Sequence, residues 1–353
     1  MSREILLEAS LALFVPLMVI EYLWYRRVGH AYARGEALAS IGIDIGQRLM
    51  QLGAIPLIGG FYAALYNHRL FTLTPTSVWH WFALFGVVEF AYYWHHRLSH
   101  EVRWFWGTHS VHHSANQINF PAALRLGWTN VLSGLWLLWA PLFFLGFEPR
   151  HIVGMLAANL VYQFFLHTEM VRRLWWPVEW LFNTPSHHRA HHGNHPLYLD
   201  VNYGGVLIVF DRLFGTFQAE LDSIEPSYGL VHPLHSTNPF VIAFHETLAI
   251  VRDVRAAPGW RERFLYAFGR PGYSHDGTRM TSVAFRQAYR ALTAETLGHS
   301  KASSLRTRHH DTVPFRRAGA GRIASIRGTR VDSSRHRIGG QGPDTIEVRA
   351  RGG

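Results

Sequence analysis

The chain has 353 residues and no cysteine, which excludes disulfides, thiolate-ligated haem, iron–sulfur clusters and Cys-containing zinc sites. It is 48% hydrophobic and only 16% charged, with 13 Trp, 14 Tyr and 23 Phe; it is poorer in charge than an average soluble domain and rich in the aromatics that membrane interfaces favour. Most of the net charge of +10 lies from Lys301 onward, where twelve Lys/Arg face four acids without interleaved aromatics, a pattern that argues against a nucleic-acid partner and reads as a solvated arm near anionic lipid headgroups.

In chain order, residues 5–25 are apolar but for Glu8 and Glu21 and are followed by Arg26, Arg27 and Arg34, which predicts a retained signal-anchor helix. A second span is expected over 41–66, with Asp44, Gln47 and Arg48 near its start, and a third over 78–94, leading into His95-His96. A fourth and fifth, 128–147 and 152–166, are joined by the turn Glu148-Pro149-Arg150. Each is about long enough for a hydrocarbon core of some 30 Å, and the last pair also suits a hairpin that dips in and returns. Arginines at 26, 27 and 34, at 97, 103 and 125, and at 172 and 173 fall in loops that the positive-inside rule assigns to the cytosol. All the histidine clusters then lie on that side. Leu174–Phe182 is aromatic enough for the interface, 206–217 reads as a short helix beneath the site, and 239–268 and 283–297 read as amphipathic helices, the latter with Phe285, Ala288, Tyr289 and Leu292 on one face.

These features predict an all-α integral membrane protein with four to five transmembrane or hairpin helices, a cytosolic histidine-rich helical cap and a disordered basic C-terminal tail. The expected divisions are an anchor over 1–35, a membrane-embedded catalytic domain over 36–273, an amphipathic segment over 274–298 and the tail over 299–353. The expected location is a multi-pass position in the inner membrane of a bacterium or the endoplasmic reticulum of a eukaryote.

Three clusters carry the chemistry: His96-Arg-Leu-Ser-His100, His109-Ser-Val-His112-His113 and His188-Arg-Ala-His191-His192. On a helix, positions i, i+3 and i+4 share a face, so each H-x-x-H-H box can turn three imidazoles toward one metal ion. Eight histidines exceed what one tetrahedral ion takes, so two metals at four or five nitrogens each is the expected arithmetic. Imidazole suits zinc, copper, iron and nickel; zinc has no redox chemistry, whereas two irons can activate dioxygen. His167, at the end of the fifth span, is expected as a ninth ligand, with Gln163 one turn earlier holding a water on the same face. His187 is a candidate ligand or a group behind one. His95 points off the His96/His100 face, and His68, His151 and His245 read as ordinary core or interface histidines. Glu89 lies seven residues before His96 inside an apolar span, where an acid either orients a ligand or bonds between helices. With Asn119 and Glu169 it makes up the candidate catalytic set.

The three histidine boxes resemble those of the fatty acid hydroxylase/sterol desaturase superfamily of membrane di-iron enzymes. Within it, the run from His167-Thr-Glu169 through Asn183-Thr-Pro-Ser186, Asn202-Tyr-Gly-Gly205 and Phe210-Asp-Arg-Leu-Phe-Gly-Thr-Phe217 to His232 is similar to the alkylglycerol (glyceryl-ether) monooxygenase branch. The resemblance covers roughly 40–273. It implies a non-haem di-iron centre and dioxygen-dependent hydroxylation of a C–H bond of a lipid drawn from the bilayer. In that branch the bond is on the ether-linked carbon and tetrahydrobiopterin, or another electron donor, is the reductant. Two departures stand out: Glu89 where the resemblance leads one to expect Asp, and no further apolar spans after Tyr273. A sterol-desaturase-like enzyme acting on a sterol or acyl lipid is the alternative reading, and a non-redox zinc-binding membrane protein is the third. Histidines gathered at one surface argue against a conduit.

Overall fold

The computed structural model describes residues 3–294, with side chains from Ala12 onward, and consists of helices and their connecting loops. Among the described residues there are no strands, only isolated bridge pairs such as Phe182 with Leu207. Among the described residues five helices of 18 residues or more dominate: α1 (Arg3–Val28), α2 (Arg34–Asn67), α3 (Val78–Glu101), α7 (Pro149–Leu166) and α11 (Pro239–Ala256).

The 34-residue α2 is about 50 Å long at 1.5 Å per residue, beyond the roughly 30 Å of a hydrocarbon core. Among the described residues it alone is long and apolar enough to cross a membrane by length and composition, so one strongly apolar helix stands where four to five spans are expected. Its outward side chains, Leu38, Ile41, Ile45, Leu49 and Leu52, are exposed, as are Val15, Val19 and Leu23 of α1, Phe82 and Phe90 of α3 and Val153 and Leu160 of α7. Apolar surface of that extent on long helices is what a lipid environment accommodates and water does not.

The expected span over 128–147 is not one helix. It is broken into α5 (Asn130–Ser133), a 3₁₀ turn over Leu135–Trp139 and α6 (Ala140–Leu145). Gly134 sits in the left-handed region (φ 76°) and stops α5, while Pro141, near the start of α6, lacks the N–H that a continuous helix would use there. The pieces fold against α3 and α7 around Leu84, Val88, Trp139, Leu142, Phe143 and Ile152.

After α3 the chain reverses at Val102 into α4 (Arg103–His113), which packs on α3 and on α11 (Pro239–Ala256). A second core joins them: Ala39 and Ile43 of α2, Val111 of α4, Trp128, and Ile242 and Ala243 of α11. Then α12 (Trp260–Phe268) completes the helical pair expected over 239–268. Residues 282–294 are also helical; Phe285, Ala288 and Tyr289 are half-buried, while Leu292 is exposed. The basic tail lies outside the described residues.

Two of the loop arginines used to orient the chain are spent inside the protein. Arg103 pairs with Glu246 (2.8 Å) and Asp253 (2.7 Å), and the buried Arg125 bonds Glu36, Ser40 and Ser114. The exposed cations on which the positive-inside argument rests are therefore Arg26, Arg27, Arg34, Arg172 and Arg173.

At Gly46 the indole of Trp128 lies so close that a Cβ would sit 2.1 Å from its ring, and the indole N–H donates to the Ile43 carbonyl at 2.9 Å. We expect Gly46→Ala to destabilise by about 1–3 kcal/mol through overpacking. A lowered melting temperature in detergent checks this; an unchanged one contradicts the contact.

Candidate metal centre

The two H-x-x-H-H boxes are helical for local reasons. In α9 (Pro185–His192) Thr184 is extended at the N-cap and Pro185 occupies the first turn, where its missing N–H costs nothing. All eight residues of α9 are buried. Together with the C-terminal turns of α3 and α4 and with His167 at the C-cap of α7, α9 brings nine histidines into one place.

They divide into two groups. His96, His100, His109, His113 and His191 form one; His112, His167, His188 and His192 form the other, with the ligand nitrogens of each group all within 4.8 Å of one another. The groups adjoin, with the rings of His113 and His192 stacked at 4.4 Å. Neither box serves a single group, which corrects the expectation of three imidazoles gripping one ion. In α4 the i and i+4 residues, His109 and His113, join the first group and His112 the second; in α9, His188 and His192 join the second and His191 the first.

Carbonyl oxygens fix the tautomers. His96 Nδ1 lies 2.9 Å from Tyr203 O, His191 Nδ1 2.7 Å from Val201 O and His167 Nδ1 2.7 Å from Gln163 O. A carbonyl only accepts, so each Nδ1 carries the proton and each Nε2 presents a lone pair. The lone pair of His167 Nε2 faces two further nitrogens, His112 Nε2 at 3.1 Å and His188 Nε2 at 3.0 Å, and His188 Nε2 faces His192 Nε2 at 3.1 Å. In the first group, His96 and His109 Nε2 are 3.0 Å apart, and the Nε2 atoms of His100, His113 and His191 are buried with no hydrogen-bond partner. One lone pair cannot satisfy two neighbours of its own kind, whereas a cation among them satisfies all. The donor set thus fits two metal ions. Asp200 Oδ1, 3.4 Å from His100 Nδ1, adds an anion behind a ligand.

A scaffold outside the histidine boxes holds two of these carbonyls, those of Val201 and Tyr203. The loop 200–207 has left-handed residues at Asp200 (φ 52°) and Asn202 (φ 56°) on either side of Val201. Asn202 Nδ2 donates to His187 O and Gln218 O, and its Oδ1 accepts from Gln218 N. Asp211, in α10 (Val209–Phe214), accepts from the N–H groups of Tyr203 and Gly204, both at 2.7 Å. Gly205 admits the Asn159 amide, which would lie 2.1 Å from a Cβ there. The signal was present in Asn202-Tyr-Gly-Gly205 and Asp211, but neither motif announces which histidine it serves.

Glu89 bonds between elements rather than to a cluster histidine. Its Oε1 accepts from Asn159 Nδ2 (2.5 Å), and its Oε2 accepts from Val206 N (2.8 Å) and Leu207 N (2.9 Å). It therefore pins the loop whose Tyr203 carbonyl holds His96. Gln163 contributes its carbonyl to His167, while its side chain bonds Tyr92 and Asn159. Asn119 caps the turn at Ala122 (3.0 Å), and Glu169 accepts from Tyr25 (2.6 Å); neither belongs to the histidine groups. His95 packs near Trp139, also outside them.

His187, placed among the candidate ligands on sequence, is in neither group. Its Nε2 meets Glu179 Oε2 at 2.9 Å; Glu179 lies in α8 (Trp176–Leu181). Burial opposes charge on Glu179, but hydrogen bonds from His187, Leu174 N and Thr184 outweigh it and hold the carboxyl down at about 2. The contact with Glu179 turns the His187 ring toward α8 and away from the two groups, whereas the adjacent pairs His112/His113 and His191/His192 both face the centre.

Two cavities reach the metal groups. One of about 480 Å³ touches His96, His109, His112 and His167 and is walled by Phe14, the Asp44–Gln51 face of α2 and Leu156, Leu160 and Phe164 of α7. The other, about 540 Å³, touches His100, His113, His191 and His192 beneath Arg103, Trp106, Glu246, Arg279 and Met280.

We expect His188→Ala and His191→Ala each to lower metal content, and His187→Ala to leave it unchanged, by elemental analysis of purified protein. Loss in His187→Ala equal to that in His188→Ala would contradict the grouping. Burial, and after it the neighbouring imidazoles, hold the α4 and α9 histidines at 109, 112, 113, 188, 191 and 192 well below the usual histidine range. The unfolded chain takes up these protons near pH 6.5 and the folded chain only well below it, so stability of the metal-stripped protein falls as pH drops below about 6.5. Its melting temperature should be lower at pH 5.5 than at pH 7.5; equal values would refute this.

A family model for fatty acid hydroxylases matches residues 81–216, the segment that holds all nine histidines. The chain is 35% identical to the alkylglycerol monooxygenase of Homo sapiens over 86% of its own length and 67% of that protein's. It is 34% identical to the alkylglycerol monooxygenase of Xenopus tropicalis over 77% and 60%, respectively. The ornithine lipid hydroxylase of Rhizobium tropici is 27% identical over 59% of this chain and 64% of its own. The chain thus spans between 60% and 67% of the length of these relatives. No solved structure matches it. With nine clustered imidazoles in the matched segment, eight of them buried, and this degree of kinship, the chain belongs to the fatty acid hydroxylase family of oxidoreductases, which includes hydroxylases and monooxygenases.

Proposed function

We propose that the nine histidines hold two iron ions and that the enzyme uses dioxygen to hydroxylate a C–H bond of a lipid, in its sharpest form the ether-linked carbon of an alkylglycerol. The observation that carries this reading is the pair of adjoining all-imidazole groups opening onto a cavity with an apolar wall. Kinship with alkylglycerol monooxygenases supports the ether substrate, and kinship with an ornithine lipid hydroxylase supports lipid hydroxylation more broadly.

Bound there, two irons would supply the activation of dioxygen and the oxidation of the C–H bond. The chain's own residues do the rest. Phe14, Leu156, Leu160 and Phe164 take up the alkyl chain and exclude water. The carbonyls of Val201, Tyr203 and Gln163 keep three ligands in the Nε2-coordinating tautomer. Hydroxylation at the ether carbon yields a hemiacetal, which separates into a fatty aldehyde and a free glycerol hydroxyl. One oxygen of O₂ enters the product, and the other leaves as water with two electrons and two protons from a reductant. Tetrahydrobiopterin, or another two-electron donor, enters through the second cavity, where His232, Arg279 and Trp106 offer polar and stacking contacts. We place the protein as a multi-pass membrane enzyme with the centre at the cytosolic face. Exposed Arg26, Arg27, Arg34, Arg172 and Arg173 and the apolar flanks of α1, α2, α3 and α7 support this.

Anaerobically purified protein should carry two irons per chain, one for each histidine group, and consume oxygen on addition of 1-O-alkylglycerol and reductant, releasing fatty aldehyde. A hydroxylated lipid without aldehyde would overturn ether cleavage. Stoichiometric zinc, with no turnover after iron loading, would overturn the oxidative reading.

A further inference from the structure

The apolar α2 carries one polar stripe. Asp44, Gln47, Arg48 and Gln51 stand at i, i+3, i+4 and i+7, hence on one face, and all four line the cavity that touches His96, His109, His112 and His167. The metal centre does not use them. Gln47 is 4% exposed, and its Oε1 is buried with no hydrogen-bond partner. A carboxamide oxygen in that position is costly unless a donor meets it. Arg48 Nε already pairs with Asp44 at 2.6 Å, so the stripe is formally neutral: one ion pair flanked by two carboxamides.

We propose that this stripe is the headgroup site of the lipid substrate and that it selects a neutral polyol, a glycerol-type diol, over an anionic head. This rests on the lipid-hydroxylase reading above and names the substrate class of the same site. A phosphate or carboxylate head would bring an uncompensated negative charge into a cavity whose two cations, Arg48 and Arg125, are already paired with Asp44 and Glu36. Vicinal hydroxyls both donate and accept, which matches a carboxamide oxygen in need of a donor and an ion pair with free donor and acceptor positions. The geometry agrees with the chemistry: an ether carbon is one bond from the glycerol oxygen, so headgroup site and metal centre have to share one cavity, and they do. Leu160 and Val161 on the opposite wall are exposed at the outer surface, giving the alkyl chain an exit toward lipid.

The test is equilibrium binding to the full-length, metal-loaded protein under anaerobic conditions without reductant, using 1-O-hexadecylglycerol and hexadecyl phosphate as probes. The wild type should favour the glycerol lipid by about tenfold or more, and Gln47→Leu should lose about tenfold of that affinity, the ~1.4 kcal/mol of one hydrogen bond. Hexadecyl phosphate binding and metal content should not change. Gln51→Leu, at a half-buried position, should shift the preference the same way. Equal affinity of the wild type for both probes, or an unchanged preference in both variants, overturns the headgroup site. A preference that depends on the stripe, in a protein that releases no aldehyde, keeps the headgroup site and overturns ether cleavage alone.

Discussion

The structure depends on nitrogen lone pairs that have nowhere to go but to a cation. Backbone carbonyls at Val201, Tyr203 and Gln163 claim the Nδ1 protons of His191, His96 and His167, which leaves their Nε2 atoms facing other imidazoles inside a buried site. Everything around the centre keeps that arrangement in place. Glu89, Asn202 and Asp211 hold the loop 200–207, and this loop supplies two of the three carbonyls. Without metal the same geometry is a store of electrostatic frustration, since neither protonation nor water relieves nine convergent bases at once.

The division of ligands means that two ions bound there would form one centre. Helices α4 and α9 each contribute two imidazoles to one group and one to the other, in opposite senses. Moving either helix would disturb both groups. Two cavities then reach this unit, one along the apolar helices and one beneath the C-terminal helices, so the lipid and the reductant of the proposed reaction need not compete for one entrance.

Much of this was legible in the sequence because it rests on periodicity. Spacings of three and four place imidazoles on one helical face, and both boxes are helical. His167 was legible as well, since it ends an apolar helix. The two-group division was not, because i, i+3 and i+4 share a face only to within a few tens of degrees, enough for neighbouring ions to part them. His187 was ambiguous for a related reason: only the position of Glu179 decides which of two adjacent histidines turns inward. The break at Gly134 was hidden by composition, because Trp128–Phe147 carries no charged residue and hydropathy does not register a left-handed glycine. Arg103 and Arg125 looked like loop charges, and only tertiary structure shows their partners.

The central claim is that two ions sit in all-histidine groups of five and four. Diffraction at the iron edge from crystals of anaerobically prepared protein tests it most directly. The account predicts two anomalous peaks, one among His96, His100, His109, His113 and His191 and one among His112, His167, His188 and His192. A single peak, or a peak ligated by His187, would contradict it.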